Sequence, residues 1–161
     1  MKVIPITKGL EAIVDDDDYE RLSQYSWCYH GDGYAARGFH HNGKVVIEKM
    51  HQAVLGKAPK GMDIDHINGN KLDNRKSNLR VVSHQQNCFN TKRRVSKTQG
   101  VNPSKYKGVT WRNDREKWRS RICINGHRIY LGLYETQEDA ALAYNVAAKE
   151  LFGEYARLNE I

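Results

Sequence analysis

The chain has only three cysteines, Cys28, Cys88 and Cys123, scattered and without a CxxC pair. That excludes a disulfide framework and a cysteine-built zinc ribbon, and predicts three reduced, inert thiols. No apolar run approaches the roughly eighteen residues of a transmembrane helix, so no membrane partner is expected. The opening stretch MKVIPITKGLEAIV has no signal-peptide core, which points to the cytoplasm. Aromatics are 9% of 161 residues and mean hydropathy is −0.77, so cores must be small. The length fits one medium domain or two small ones.

Acidic residues are nearly absent from one segment. Residues 92–134 hold twelve Lys and Arg but only Asp114 and Glu116, a net charge of +10. Residues 1–91 are close to neutral at +1, residues 135–161 carry −4, and the chain as a whole carries +7. A basic block of this kind is the electrostatic footprint of a polyanion partner, and its even spread through a predicted sheet favours nucleic acid.

Polar chemistry concentrates in residues 63–90, DIDHINGNKLDNRKSNLRVVSHQQNCFN. Asp63 to Ile67 alternate polar and apolar, as a half-buried strand does. Asn68-Gly69-Asn70 signals a turn, and Asn74 to Asn78 reads as a loop. Leu79, Val81 and Val82 are strand-forming, and Ser83 can cap a short helix from His84 to about Asn90. The expected order is strand, loop, strand, helix.

Asp65-His66, Asn78-Leu79 twelve residues after the histidine, and Asn87 twenty-one after it together resemble the HNH nuclease motif, the ββα-metal fold. With Asn in the third place, the variant is similar to the HNH homing endonucleases of phages and mobile introns. The resemblance implies that His66 is the general base, Asp65 and Asn87 the ligands of one Mg²⁺ or Mn²⁺, and Asn78 the structural brace. The chemistry suits the residue types. Phosphodiester hydrolysis needs a base to activate water and a cation to steady charge on the phosphorane and the leaving oxygen. A neutral imidazole can take a proton near pH 7, and carboxylate and amide oxygens are hard ligands. The three side chains are expected to converge around a single cation.

Upstream, residues 2–6 and 12–14 read as short strands around Lys8-Gly9. Asp15 to Asp18 is an acidic run, of which Asp16 to Asp18 suit a helix start. A helix over 17–25 would bury Tyr19, Leu22 and Tyr25. Strands follow at 27–29, 34–39 and 44–48, the last two joined by the hairpin signal Asn42-Gly43. A short helix over 49–55 carries Met50-His51, placing His51 either to touch a phosphate or to brace the nuclease fold.

Residues 92–103 read as a basic linker with Lys92, Arg93, Arg94 and Lys97, able to lie along a DNA backbone. Beyond it, strands at 106–112, 118–124 and 127–131 form a sheet, with Asn125-Gly126 as a tight turn. Trp118, Ser120, Ile122 and Ile124 share one face; Arg119, Arg121 and Cys123 share the other. Residues 136–152 make the clearest helix, with Thr136 as cap, Asp139 completing a capping box and Gly153 as stop. Its stripe is Ala140, Ala143, Tyr144, Ala147, Ala148 and Leu151.

YKGVTW, KWRSRI, RIYLGLYETQEDAALAYNVAAKELFG and the closing ARLN resemble the APETALA2/ethylene-response-factor DNA-binding domain. That family reads the major groove with strand side chains. The resemblance places DNA contacts at Lys107, Arg112, Arg121, Arg128 and Tyr130, with Arg119 on the same basic face. Thr110 and Cys123 stand where arginines are usual, Arg121 where an acidic residue is usual, and Tyr130 where Trp is. DNA binding carries over; sequence preference does not.

The expectation is therefore an α+β protein with a nuclease domain over 1–91, a basic linker over 92–103 and a DNA-binding domain over 104–161. It would be phage- or mobile-element-encoded and would cut DNA at a homing-type site, nicking as a monomer or breaking both strands as a homodimer. The alternatives are a non-cleaving DNA-binding regulator and a packaging or recombination nuclease.

Overall fold

The computed structural model describes residues 1–92 and 104–161. Arg93, Arg94 and the rest of the expected linker lie outside the described residues. The chain forms two compact units, Met1–Asn87 and Cys88–Ile161. Both mix short helices with small antiparallel sheets, an α+β architecture.

In the first unit, β1 (Lys2–Ile6) and β2 (Leu10–Val14) form a hairpin, and α1 (Asp16–Ser23) follows. A three-stranded sheet of β3 (Cys28–Tyr29), β4 (Ala35–His41) and β5 (Lys44–Lys49) comes next, then α2 (Met50–Leu55). Asn42 and Gly43 both take positive φ, 48° and 71°, as the tight β4–β5 turn requires. The core is Ile4, Ile6, Ala12, Val14, Leu22, Trp27, Ala35 and Met50. The expected burial of Tyr25 does not occur. Helix α1 stops at Ser23, and Tyr25 is 45% exposed, with the Arg37 guanidinium 3.6 Å from its ring centre. Once the helical period ends, position 25 no longer shares a face with Leu22.

Strands β6 (Met62–His66) and β7 (Leu79–Ser83) pair antiparallel, with Asp65 opposite Arg80 and His66 opposite Leu79. Helix α3 (His84–Phe89) completes a ββα unit. Its start is a capping box: Ser83 Oγ accepts from the Gln86 amide at 3.2 Å, and Gln86 Oε1 accepts from the Ser83 amide at 2.8 Å.

The second unit is a three-stranded antiparallel sheet, β8 (Val109–Arg112), β9 (Lys117–Ile124) and β10 (His127–Tyr134), packed on one helix, α4 (Gln137–Phe152). Thr136 caps α4 and accepts from the Asp139 amide at 3.1 Å. The inward face of α4 is Ala140, Ala141, Tyr144, Ala147, Ala148 and Phe152, rotated slightly from the expected stripe; Leu151 is exposed. Small alanines let the helix lie close to the sheet, where Ser120 and Ile122 are buried. Gly108 is obligatory here: a Cβ would collide with the Tyr144 ring and the Arg121 carbonyl, and its φ is +79°. Asn159 closes the unit. Its side chain accepts from the Lys107 amide at 2.7 Å and donates to the Lys107 carbonyl at 3.1 Å, while its backbone exchanges two hydrogen bonds with Asn145.

Candidate active site and nucleic-acid face

Strand β6 carries the candidate site, and its alternation sorts the side chains. Asp63 and Asp65 project to one face, Ile64 and His66 to the other. Asp65 is buried and ion-paired with Arg80, its cross-strand partner, Nη2 to Oδ2 at 2.9 Å. Asn87 donates through Nδ2 to Asp63 Oδ2 at 3.0 Å, and His84 Nδ1 lies 2.9 Å from the same oxygen. The hydrogen bond from Asn87 and then the contact with His84 hold the Asp63 carboxyl below its usual range. The face shared by Asp63 and Asp65 therefore gathers carboxylate and amide oxygens. The expectation that Asp65 and His66 converge from adjacent positions meets the alternation of the strand. They leave β6 on opposite faces, with His66 at its last residue, where the chain turns.

His66 is nearly enclosed. Its ring centre lies 5.2 Å from that of His51 and 5.7 Å from that of Tyr34, and His51 and Tyr34 meet edge-on at 4.9 Å. His66 Nε2 is 3.4 Å from Asn74 Oδ1. Burial lowers the pKa of His66, only partly offset by Asn74 and by the carboxylates of Asp65 and Asp73, so the ring is neutral at pH 7. Burial, then His66 and Lys49, push His51 down to about 3, against an opposing pull from Asp32; His51 Nδ1 is buried with no hydrogen-bond partner among the described residues. His51 thus sits against His66, as part of the wall around it.

Tyr34 is held there by a tight turn. Lys49 Nζ reaches Asp32 Oδ2 at 2.6 Å and Lys71 Nζ reaches the Asp32 carbonyl at 2.7 Å, and both ammonium groups lie over the Tyr34 ring, at 4.2 and 4.5 Å. Burial alone would raise the Asp32 pKa, but the hydrogen bonds from Lys49 and His30 outweigh it and bring it to about 2.

Asn78 spans the loop between β6 and β7. Its Oδ1 accepts from the Asn68 amide at 3.0 Å, and its Nδ2 donates to the Asp73 carbonyl at 2.8 Å. Its own carbonyl accepts from the Ile67 amide at 2.9 Å, next to His66. Four further participants escaped the sequence reading: Tyr34, Asp63, Asn74 and Arg80. Alternation alone puts Asp63 on the face of Asp65. Nothing in the LDNR tetrapeptide reveals that Asn74 is 1% exposed.

In the second unit, Thr110, Arg112, Lys117, Arg119, Arg121, Arg128 and Tyr130 occupy the sheet face turned away from α4, by register. Arg112 grips Asp114 through two hydrogen bonds of 2.8 Å, and Arg119 reaches Thr110 Oγ1 at 3.2 Å. Burial, then the neighbouring charges of Arg121 and Arg112, make protonation of Arg119 harder. Lys107 is placed differently. It is half-buried, its ammonium donates to the Phe89 carbonyl at 2.7 Å, and burial followed by Arg157 lowers it to about 8. Lys92 is exposed beside Lys105, Lys107 and Arg157 around a cleft of about 370 Å³.

Comparison with known proteins settles the lineage. Residues 49–88 match the family model described as HNH endonuclease. An uncharacterized HNH endonuclease of Acanthamoeba polyphaga mimivirus is 33% identical over 156 residues, 96% of this chain and 77% of that protein. The chain belongs to the HNH endonucleases. This HNH endonuclease is also 35% identical to protein 3.8 of Escherichia phage T7 over 66% of its own length and 83% of the phage protein. Its residues 104–154 match the AP2 domain. There it is 44% identical to an AP2-like ethylene-responsive transcription factor of Arabidopsis thaliana, over 31% of this chain and 15% of that protein. Among the described residues, no helix is long and apolar enough to cross a membrane.

Proposed function

We propose that this HNH endonuclease hydrolyses DNA phosphodiester bonds with His66 as general base and with Asp65 and Asn87 as ligands of one Mg²⁺ or Mn²⁺. The supporting observation is a buried histidine at the end of β6, kept neutral by its surroundings and fixed by Asn74. A neutral imidazole can take a proton from water at pH 7.

The donor set fits a hard cation. Asn87 gives its amide nitrogen to Asp63, which leaves Oδ1 as its ligand atom, and Asp65 adds a carboxylate. No group of three or more His, Cys, Asp or Glu side chains that could hold a metal occurs among the described residues. In this reading two protein ligands hold the ion, with water and phosphate filling the remaining positions. When bound, the cation supplies charge stabilisation at the phosphate and the leaving oxygen. The protein's own residues do the rest. His66 accepts the proton of the attacking water, Asn78 holds the turn after His66 in register, and Tyr34 and His51 keep bulk solvent from the imidazole.

The outer face of the C-terminal sheet carries double-stranded DNA in this reading. Arg112, Arg119, Arg121, Arg128 and Tyr130 are the contacts, and a polyanion would relieve the crowding of guanidinium groups. Lys92, Arg93 and Arg94 would follow the backbone. We place the protein with the homing nucleases, phage- or mobile-element-encoded and acting in the host cytoplasm, one strand cut per monomer. Plasmid nicking with Mg²⁺ or Mn²⁺ tests the chemistry. His66→Ala and EDTA should each abolish cleavage while gel-shift binding persists, and undiminished cutting by His66→Ala would remove the base. Mapped ends on a digested genome test the homing assignment: one dominant site supports it, a ladder refutes it. One observation favours a non-cleaving regulator, namely the Arg80 guanidinium already occupying Asp65; the same nicking assay separates the two.

A further inference from the structure

We propose that Asn74 is a positioning residue that sets the tautomer of His66, making Nδ1 the atom that accepts the proton. The inference rests on His66 being the base. Asn74 Nδ2 donates to the Leu72 carbonyl at 3.1 Å. Turning the amide over would set two acceptor oxygens against each other there, so only one orientation is satisfied. Oδ1 therefore faces His66 Nε2, at 3.4 Å. A side-chain carbonyl has no proton to give, so the neutral ring must present its N–H at Nε2. The lone pair then sits on Nδ1.

The amide cannot drift, because its backbone is strapped to the first hairpin. The Asn74 amide donates to the Ile13 carbonyl at 2.8 Å, and the Ile13 amide donates to the Leu72 carbonyl at 2.8 Å. Leu72 O thus takes two donors, one for each lone pair. Ile13 and Asp73 form an isolated parallel bridge. Strand β2, outside the residues matched by the nuclease family, is the strut behind the base.

Long-range ¹H–¹⁵N correlation of the histidine side chains in the full chain reads the tautomer directly, with His66→Gln identifying the resonance. The expected result is an Nε2–H signature for His66 at pH 7.5. An Nδ1–H signature overturns the proposal whatever the protein cuts. Asn74→Leu should mix the tautomers and slow single-turnover nicking about 10–100-fold, the range for losing an outer partner that orients an imidazole, with DNA affinity unchanged. Equal rates for Asn74→Leu and wild type would overturn the proposal. If the wild-type signature is Nε2–H but His66→Ala still cuts, the general-base reading fails and the tautomer assignment survives.

Discussion

Replacing Arg80 by Met tests whether Asp65 is a metal ligand without measuring cleavage at all. The substitution keeps the aliphatic stem against the sheet and removes the charge. Side-chain exposure is 16% for Arg80 and 7% for Asp65, so the carboxylate would stay enclosed after losing its cation. Breaking a fully buried pair costs roughly 3–5 kcal/mol. With Arg80 at the sheet edge and partly solvated, about 2–4 kcal/mol is expected. For a unit of this size each kcal/mol moves Tm by roughly 4–8 °C, so the metal-free variant should melt at least about 8 °C below wild type. A divalent cation on Asp65 replaces the missing charge. At a hundred times its Kd, Mn²⁺ should return about 2.7 kcal/mol. Wild type gains less, because the cation must first displace Arg80. The assay is calorimetry of both proteins with EDTA and with Mn²⁺. Equal Mn²⁺ shifts in the two would refute Asp65 as a ligand, and a loss of under about 1 kcal/mol in EDTA would refute the buried-pair estimate.

In the DNA-binding unit, Arg121→Ala or Arg128→Ala should weaken binding by about 1–3 kcal/mol if the side chain reads a base. A gel-shift titration with unchanged affinity would remove that residue from the interface. Ala147→Phe should overpack the contact between α4 and the sheet and cost about 1–3 kcal/mol, read from urea midpoints. His51 predicts a pH dependence. Its folded pKa, about 3, lies below the ordinary histidine value, so its contribution is complete above about pH 6.5 and is lost as pH falls toward 3. The slope is at most about 1.4 kcal/mol per pH unit, and His51→Gln should flatten the difference between urea midpoints at pH 7 and pH 5. Parallel curves for the two proteins would show that His51 is not the group responsible.

Element order was legible because periodicity and turn chemistry agree locally. Asn125 and Gly126 take φ of 52° and 77°, as their dipeptide demands, and Thr136 caps α4 as its spacing with Asp139 implies. The site was legible by type more than by arrangement. The spacing of His66, Asn78 and Asn87 marked the ββα unit, and the Asn78 side chain ties the Asn68 amide to the Asp73 carbonyl across its loop. The partners were hidden because they depend on tertiary burial. Arg80 meets Asp65 through cross-strand register, Asn74 meets His66 through a loop strapped to Ile13, and Tyr34 arrives from the turn before β4. The drift of the α4 stripe toward Ala141 and Phe152 has a similar origin, since packing against the sheet rather than helical period alone selects which residues are covered.

The bond between Asn74 and Ile13 bears on how small a cutting fragment can be made. Residues 49–88 contain every recognisable motif position, yet the polypeptide that steadies the imidazole from behind begins some forty residues earlier. A fragment excised at the motif's edges would keep Asp65, His66 and Asn87 and lose the hairpin to which Asn74 is bonded. Grafting this module onto another DNA-binding protein therefore requires carrying over the first hairpin as well.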